Sequence, residues 1–102
     1  MFFSREEIKN NYEEQLKKLE RIAKERGAVV KYTYLLPTQY AGVMVYEKRG
    51  CHKIIISKWM MGEDRSYALA HEVGHLIAFL RREESTEDRA HFYAEGLLKE
   101  TK

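Results

Sequence analysis

Residues 69–80 read LAHEVGHLIAFL, and the apolar residues of this run recur at the spacing of an α-helix. They form one apolar stripe: Leu69, Val73, Leu76, Ile77 and Leu80. With its flanks, this pattern predicts a helix from about Glu63 to Arg82. His71 and His75 lie on nearly the opposite side, among small or apolar neighbours rather than charged ones. We therefore expect another element of the fold to cover that side.

The two histidines carry the chemistry of this predicted helix. His71 and His75 are four residues apart in the sequence, so their imidazoles point to one side of the helix. Two imidazoles so placed can bind one zinc ion, with N–Zn distances of about 2.0–2.1 Å. Glu72 completes the pattern HExxH, in which the carboxylate takes a proton from metal-bound water. The motif predicts zinc-dependent hydrolysis with Glu72 as the base.

A third zinc ligand is expected after this helix. The extended motif that places a third histidine six residues after the second is excluded, because that position is Arg81. A further helix is predicted from about Thr86 to Glu100, with Ser85 as its N-cap residue. Its apolar stripe comprises Ala90, Tyr93, Ala94, Leu97 and Leu98.

Glu87 and His91 are the two candidates for that third ligand. Glu87 falls inside the apolar stripe of the last helix, whereas His91 lies at the border of the stripe. A carboxylate in an apolar face is costly unless a cation or good donors meet it, and zinc held by His71 and His75 would be such a cation. We therefore favour Glu87 as the ligand. His91 is then a partner that orients a ligand without binding the metal, with the reverse assignment as the alternative.

The rest of the chain predicts one α+β domain that spans all 102 residues. A helix is expected from residue 4 to residue 26, with Ser4 and Glu7 as a capping box and Gly27 at its end. β-Branched and aromatic residues predict strands at residues 28–34, 43–46 and 53–57. The last two strands are joined by a glycine-containing hairpin connection, in which Cys51 is expected to be an exposed thiol.

Composition excludes several classes of function. The net charge is +2, and the 18 basic residues are interleaved with 16 acidic ones, so there is no basic stripe for nucleic acid. The single cysteine cannot form an intrachain disulfide, which favours a reducing cytoplasm. The apolar runs are too short to span a bilayer or to serve as a signal peptide. We therefore expect a cytoplasmic protein that binds neither nucleic acid nor membranes.

Two linked stretches of the chain resemble ImmA/IrrE-type metallopeptidases. AHEVGH at residues 70–75 resembles their AHExGH core, and the later residues are similar to their ExxAxxxAxxLL segment at Glu87, Ala90, Ala94, Leu97 and Leu98. The resemblance covers roughly residues 18–98. It implies a minimal zincin-like domain with a gluzincin-like zinc site, in which His71, His75 and Glu87 bind the metal and Glu72 is the general base. It also implies a protein or peptide substrate, such as a transcriptional repressor.

The chain departs from the family pattern, and two other functions use the same residues. His91 stands where the family often has Asn or Asp, and Lys99-Glu100 replaces Met-Pro. One alternative is a metal-braced binding module that sequesters a repressor or another partner, and the other is a hydrolase of non-peptide substrates. Structural zinc sites usually have four protein ligands, most of them cysteines, whereas a set of His, His and Glu leaves one coordination position open for water. Hydrolysis is therefore favoured.

Overall fold

Within residues 5–37 and 39–102, which the computed structural model describes, the chain forms three helices and three strands. In chain order these are α1 (Arg5–Glu25), β1 (Ala28–Thr33), β2 (Gly42–Val45), β3 (His52–Ser57), α2 (Glu63–Leu80) and α3 (Glu87–Glu100). The predicted α+β class and the order helix, three strands, two helices are confirmed. Each observed end lies within two residues of the predicted end.

The three strands form one mixed sheet in the order β1-β3-β2. β1 runs parallel to β3, with Val30 opposite Ile54, and β2 runs antiparallel to β3, with Val43 opposite Ile55. The predicted hairpin is therefore confirmed, with Cys51 exposed in its connection. The central strand comes last in the chain, so β1 and β2 are the two edges of the sheet.

The core lies between one face of the sheet and the helices α1 and α2. Its largest fully buried side chains come from β3, α2 and α1: Ile54, Ile56, Leu69, Val73, Leu76 and Leu19. α3 packs along the other side of α2, as the small residues near the histidines predicted. The predicted stripe of α2 is wrong at Leu80, which is 47% exposed because it ends the helix. Along residues 5–37 and 39–102, no helix is long and apolar enough to cross a membrane.

The helix ends confirm one prediction and correct another. Gly27 has a φ of 84°, the left-handed conformation expected after α1, whereas the predicted capping box at Ser4 lies outside the described residues. The N-cap of α3 is Thr86, whose side chain accepts a hydrogen bond from the backbone N–H of Arg89. The prediction of Ser85 as N-cap is therefore wrong, because the helix begins one residue later and the Ser85 hydroxyl bonds elsewhere.

Candidate metal centre

His71, His75 and Glu87 come together where α3 begins beside α2. His71 Nε2 lies 2.8 Å from Glu87 Oε2, and His75 Nε2 lies 3.1 Å from Glu87 Oε1. The ligand atoms of the three side chains all lie within 4.8 Å of one another. This His-His-Glu group could hold a metal ion, and it consists of the three residues predicted as ligands.

The donor atoms of this group suit zinc. Imidazole nitrogen and carboxylate oxygen are common zinc ligands, and the imidazole must be neutral to bind. Burial and the charge of His71 together lower the pKa of His75 against the opposing effect of Glu87, which favours the neutral ring. Partial burial would raise the pKa of Glu87, but hydrogen bonding to His71 and the charges of both histidines outweigh it, and that pKa is lowered. A neutral His75 and an ionised Glu87 are the forms a zinc ion requires.

The side chain of Glu87 approaches the histidines from the solvent side. The reason for which it was predicted as a ligand, burial in an apolar face, is therefore wrong. Glu87 was expected inside the apolar face of α3, but its side chain is 80% exposed. The buried face of the helix is formed by Ala90, Ala94 and Leu97. Glu87 occupies the first turn, where one edge of the helix already faces solvent. Direct contact with two imidazoles, and not the cost of a buried charge, therefore links Glu87 to the site.

A close crossing of α2 and α3 sets the position of Glu87. A Cβ built on Gly74 would lie 2.5 Å from the backbone oxygen of Ala90, so only glycine lets the two helix backbones approach this closely. Glu87 lies one turn before Ala90 on α3. The glycine between the two histidines therefore allows the start of α3 to come within hydrogen-bonding distance of both rings.

Glu72 lies beside this group but beneath the start of β2. Its residue surface is 9% exposed, and a Cβ built on Gly42 would lie 3.1 Å from its Cγ. Burial raises the pKa of Glu72 to about 7, although the charge of His71 opposes the shift; Glu87 adds to it. A carboxyl group with a pKa near neutrality can both accept and release a proton under physiological conditions.

An open cleft of about 540 Å³ leads to Glu72 and His71. Residues from the β1–β2 connection, the start of β2 and the first half of α2 line it, among them Tyr40, Gly42 and Tyr67. Met60 also lines the cleft, whereas its neighbours Trp59 and Met61 are exposed. Glu72, His71 and Glu87 therefore line one common cleft.

His91 lies one turn further along α3 and contacts other residues. Its Nδ1 lies 2.6 Å from the Tyr67 hydroxyl, and its Nε2 lies 3.7 Å from Glu95. Tyr67 in turn lies one turn before His71 on α2, with the two ring centroids 6.1 Å apart. The predicted supporting role of His91 stays a prediction, and any such support would pass through Tyr67.

Ser85 is a residue of this site that the sequence analysis assigned to a different role. Its Oγ lies 2.7 Å from His75 Nδ1, the ring nitrogen that faces away from Glu87. A ligating histidine generally uses its second nitrogen in such a hydrogen bond. A hydroxyl residue shortly before Glu87 was the sequence feature that could have indicated this role. Ser85 and Thr86 both fit the helix-cap pattern, however, and only the fold separates their roles.

No family model, curated protein or solved structure matches this chain. The resemblance to ImmA/IrrE-type metallopeptidases therefore rests on the residues of the two motifs. The part of it that the structure supports is the His-His-Glu group, with two histidines one turn apart on α2 and the glutamate on the next helix.

Proposed function

We propose that this chain is a zinc-dependent endopeptidase that hydrolyses a peptide bond in a regulatory or repressor protein. The observation that carries the proposal is the meeting of His71, His75 and Glu87 beside the buried carboxyl of Glu72. The three ligands leave a coordination position open, as catalytic zinc sites do. The repressor substrate is suggested by the resemblance to the ImmA/IrrE-type family.

The division of labour follows from the chemistry of each side chain. Zinc, when bound to the three ligands, would polarise the scissile carbonyl and lower the pKa of a bound water. Glu72 is the general base and then the general acid. Its carboxylate accepts one proton from the attacking water and later donates it to the nitrogen of the leaving amine. The net reaction adds one water across one peptide bond, and Glu72 returns to its starting state.

An extended substrate could bind by pairing its backbone with the edge strand β2. The Ser57 N–H donates to the Ala41 carbonyl at 2.9 Å. Along an antiparallel pair, every second residue directs its N–H and C=O groups to the neighbouring strand, so those of Val43 point towards β3 as well. The N–H and C=O groups of Gly42 and Met44 then point away from the sheet. A substrate strand paired with these groups would pass close to Glu72, which lies against Gly42.

Metal analysis and a mutant series test the proposal. The purified protein should carry close to one zinc per chain, and His71→Ala and His75→Ala should each lose most of it. Glu72→Gln should keep the zinc and the fold but abolish hydrolysis of substrates identified by proteomic profiling of cleaved peptides. Glu63→Gln changes an exposed glutamate on the same helix and serves as the matched control. Zinc retained by a variant that lacks both histidines would disprove the site.

The alternative is a metal-braced module that binds a repressor or another partner without cleaving it. Trp59 and Met61, which flank the cleft residue Met60 in the chain, have exposed apolar side chains. These favour this function, because exposed apolar side chains that form a patch commonly mark protein contacts. The two functions differ in the effect of Glu72. A partner that binds wild-type and Glu72→Gln protein equally, and that neither form cleaves, would identify the binding module.

A further inference from the structure

The two histidines of the metal centre differ at the ring nitrogen that faces away from Glu87. His75 Nδ1 lies 2.7 Å from Ser85 Oγ. His71 Nδ1 is buried and has no hydrogen-bond partner among the described residues. We propose that Ser85 is a positioning residue whose hydroxyl holds the ring of His75 in the orientation that binds zinc. This inference rests on the proposed metal centre and adds a residue to it.

The geometry gives Ser85 control of the ring orientation. Ser85 lies in the connection between α2 and α3, two residues before Glu87, so the same segment of backbone carries a zinc ligand and the partner of another ligand. His75 Nε2 lies 3.1 Å from Glu87 Oε1 while Nδ1 faces Ser85. A rotation of the ring that broke one of these contacts would also break the other. The Ser85 hydroxyl therefore aims Nε2 at the position that the three ligands share.

A hydroxyl is suited to this task because it can donate or accept. In the zinc-free protein, Nε2–H can donate to Glu87 and Nδ1 accepts a hydrogen bond from Ser85. Zinc needs the lone pair of Nε2, so the proton must then reside on Nδ1, where Ser85 accepts it. The hydroxyl meets both requirements by rotating about its Cβ–Oγ bond, with no movement of the backbone.

Tyr46 reaches the same histidine from the edge strand. It directly follows β2, and its hydroxyl donates to the backbone carbonyl of His75 at 3.4 Å. The backbone of His75 is therefore held by Tyr46 and its ring by Ser85.

The expected effect is moderate. Loss of the hydrogen-bond partner of a ligating histidine typically weakens metal binding about 10–100-fold. Ser85 is exposed, so water can replace its hydroxyl in part, and we expect a loss near the lower end of that range, about tenfold. Substitution of a zinc ligand itself should cost more.

Three variants test the inference through zinc affinity, measured by competition with a chelator. Ser85→Ala should bind zinc about tenfold more weakly than the wild type, and Ser85→Thr, which keeps the hydroxyl, should restore most of the affinity. Thr86→Ala is the matched control: it removes the hydroxyl that caps α3, so it should lower the unfolding temperature of the zinc-free protein without changing zinc affinity beyond that loss of stability. Equal zinc affinity of Ser85→Ala and wild type would overturn the role of Ser85.

A measurement on the wild-type protein tests the same inference without relying on variants that could fold less well. In the zinc-loaded protein, nitrogen-15 spectra should place a proton on His75 Nδ1, and its exchange with water should be slowed by the bond to Ser85. A His75 ring bound to zinc through Nδ1 would overturn the inference but leave the zinc site intact. Failure of the wild-type protein to bind zinc at all would instead overturn the proposed function.

Discussion

At the scale of single residues, the buried carboxyl group of Glu72 makes stability depend on pH. Its pKa is raised by burial from 4.5 to about 7, so the unfolded chain releases this proton at lower pH than the folded protein does. The contribution of Glu72 to the free energy of unfolding is therefore fully present below about pH 4.5, and it is lost as the pH rises through about 7. The shift corresponds to about 3 kcal/mol at most.

Glu72→Gln tests this dependence because glutamine cannot ionise. In zinc-free protein at about pH 8, the Gln variant should unfold at a higher temperature than the wild type, whereas at about pH 4 the two should unfold together. Thermal unfolding followed by circular dichroism at both pH values measures the difference. Glu63→Gln, at an exposed position on the same helix, should show no such dependence. A Gln variant that is equally stable relative to wild type at both pH values would contradict the raised pKa.

Glu87 and His91 are one turn apart on α3 and differ in what they contact. Glu87 meets both ligand imidazoles, whereas His91 meets the Tyr67 hydroxyl and Glu95. Glu87→Ala should therefore weaken zinc binding more than His91→Ala does, and by more than the roughly 10–100-fold typical of a supporting partner. Chelator competition on both variants decides the order, with Asp88→Ala as a control for loss of an exposed acid at the start of the helix. The opposite order would make His91 the third ligand.

At the scale of secondary-structure elements, the crossing of α2 and α3 assembles the site. Gly74→Ala would place a methyl group 2.5 Å from the Ala90 carbonyl oxygen, and the start of α3 would have to move. We expect a loss of about 1–3 kcal/mol in the free energy of unfolding. Zinc binding should also weaken, since Glu87 moves with α3.

Gly96→Ala is the matched control for this crossing. Apart from the adjacent residues and nearby backbone of α3 itself, no described atom lies within 4 Å of the Cβ that would be added at Gly96. Alanine should therefore stabilise the helix by up to about 1 kcal/mol without changing zinc affinity. Chemical denaturation and zinc titration of both variants make the comparison. Equal zinc affinity of the two variants would show that the crossing does not position Glu87.

The outward-facing backbone of β2 can be tested by removing one N–H group. Met44→Pro abolishes the N–H that the antiparallel alternation directs away from β3, and proline is tolerated on edge strands. We expect loss of substrate hydrolysis with zinc content retained. Met44→Ala keeps the N–H and removes the same side-chain packing, so it should remain active to the extent that it folds. Equal activity of both variants would exclude pairing of the substrate at this position.

At the scale of the whole molecule, zinc should stabilise a small core. The chain has 102 residues, and a fold of this size has only a modest surplus of free energy. A ligand at a hundred times its dissociation constant adds about 2.7 kcal/mol if it binds only the folded state. We therefore expect zinc to raise the unfolding temperature by on the order of 10 °C and a chelator to reverse the change.

The histidine pair provides the control for that measurement. The double variant His71→Ala, His75→Ala removes both nitrogens and should show no increase in unfolding temperature with zinc. Differential scanning calorimetry of both proteins, with and without chelator, gives the comparison. An equal increase in the double variant would place the stabilising ion elsewhere on the molecule.

Local patterns in the sequence determined the helices, the hairpin and the pairing of His71 with His75. These features depend on residues a few positions apart: apolar residues at helical spacing, glycines at helix and hairpin ends, and two histidines one turn apart. For that reason the element order and most element ends were predictable. The sequence also pointed to His71, His75 and Glu87, but it favoured Glu87 over His91 for burial in an apolar face, and the fold leaves the Glu87 side chain 80% exposed.

Tertiary structure alone decided how those parts meet. Which strand lies in the centre of the sheet, how deeply Glu72 is buried under Gly42, and from which side Glu87 approaches the histidines all depend on contacts between distant segments. Ser85 illustrates the physical reason. Its hydroxyl can cap a helix or bond to a histidine, and both are local possibilities in the sequence. Only the packing of α3 against α2, with Gly74 at Ala90, brings His75 within 2.7 Å and selects the second.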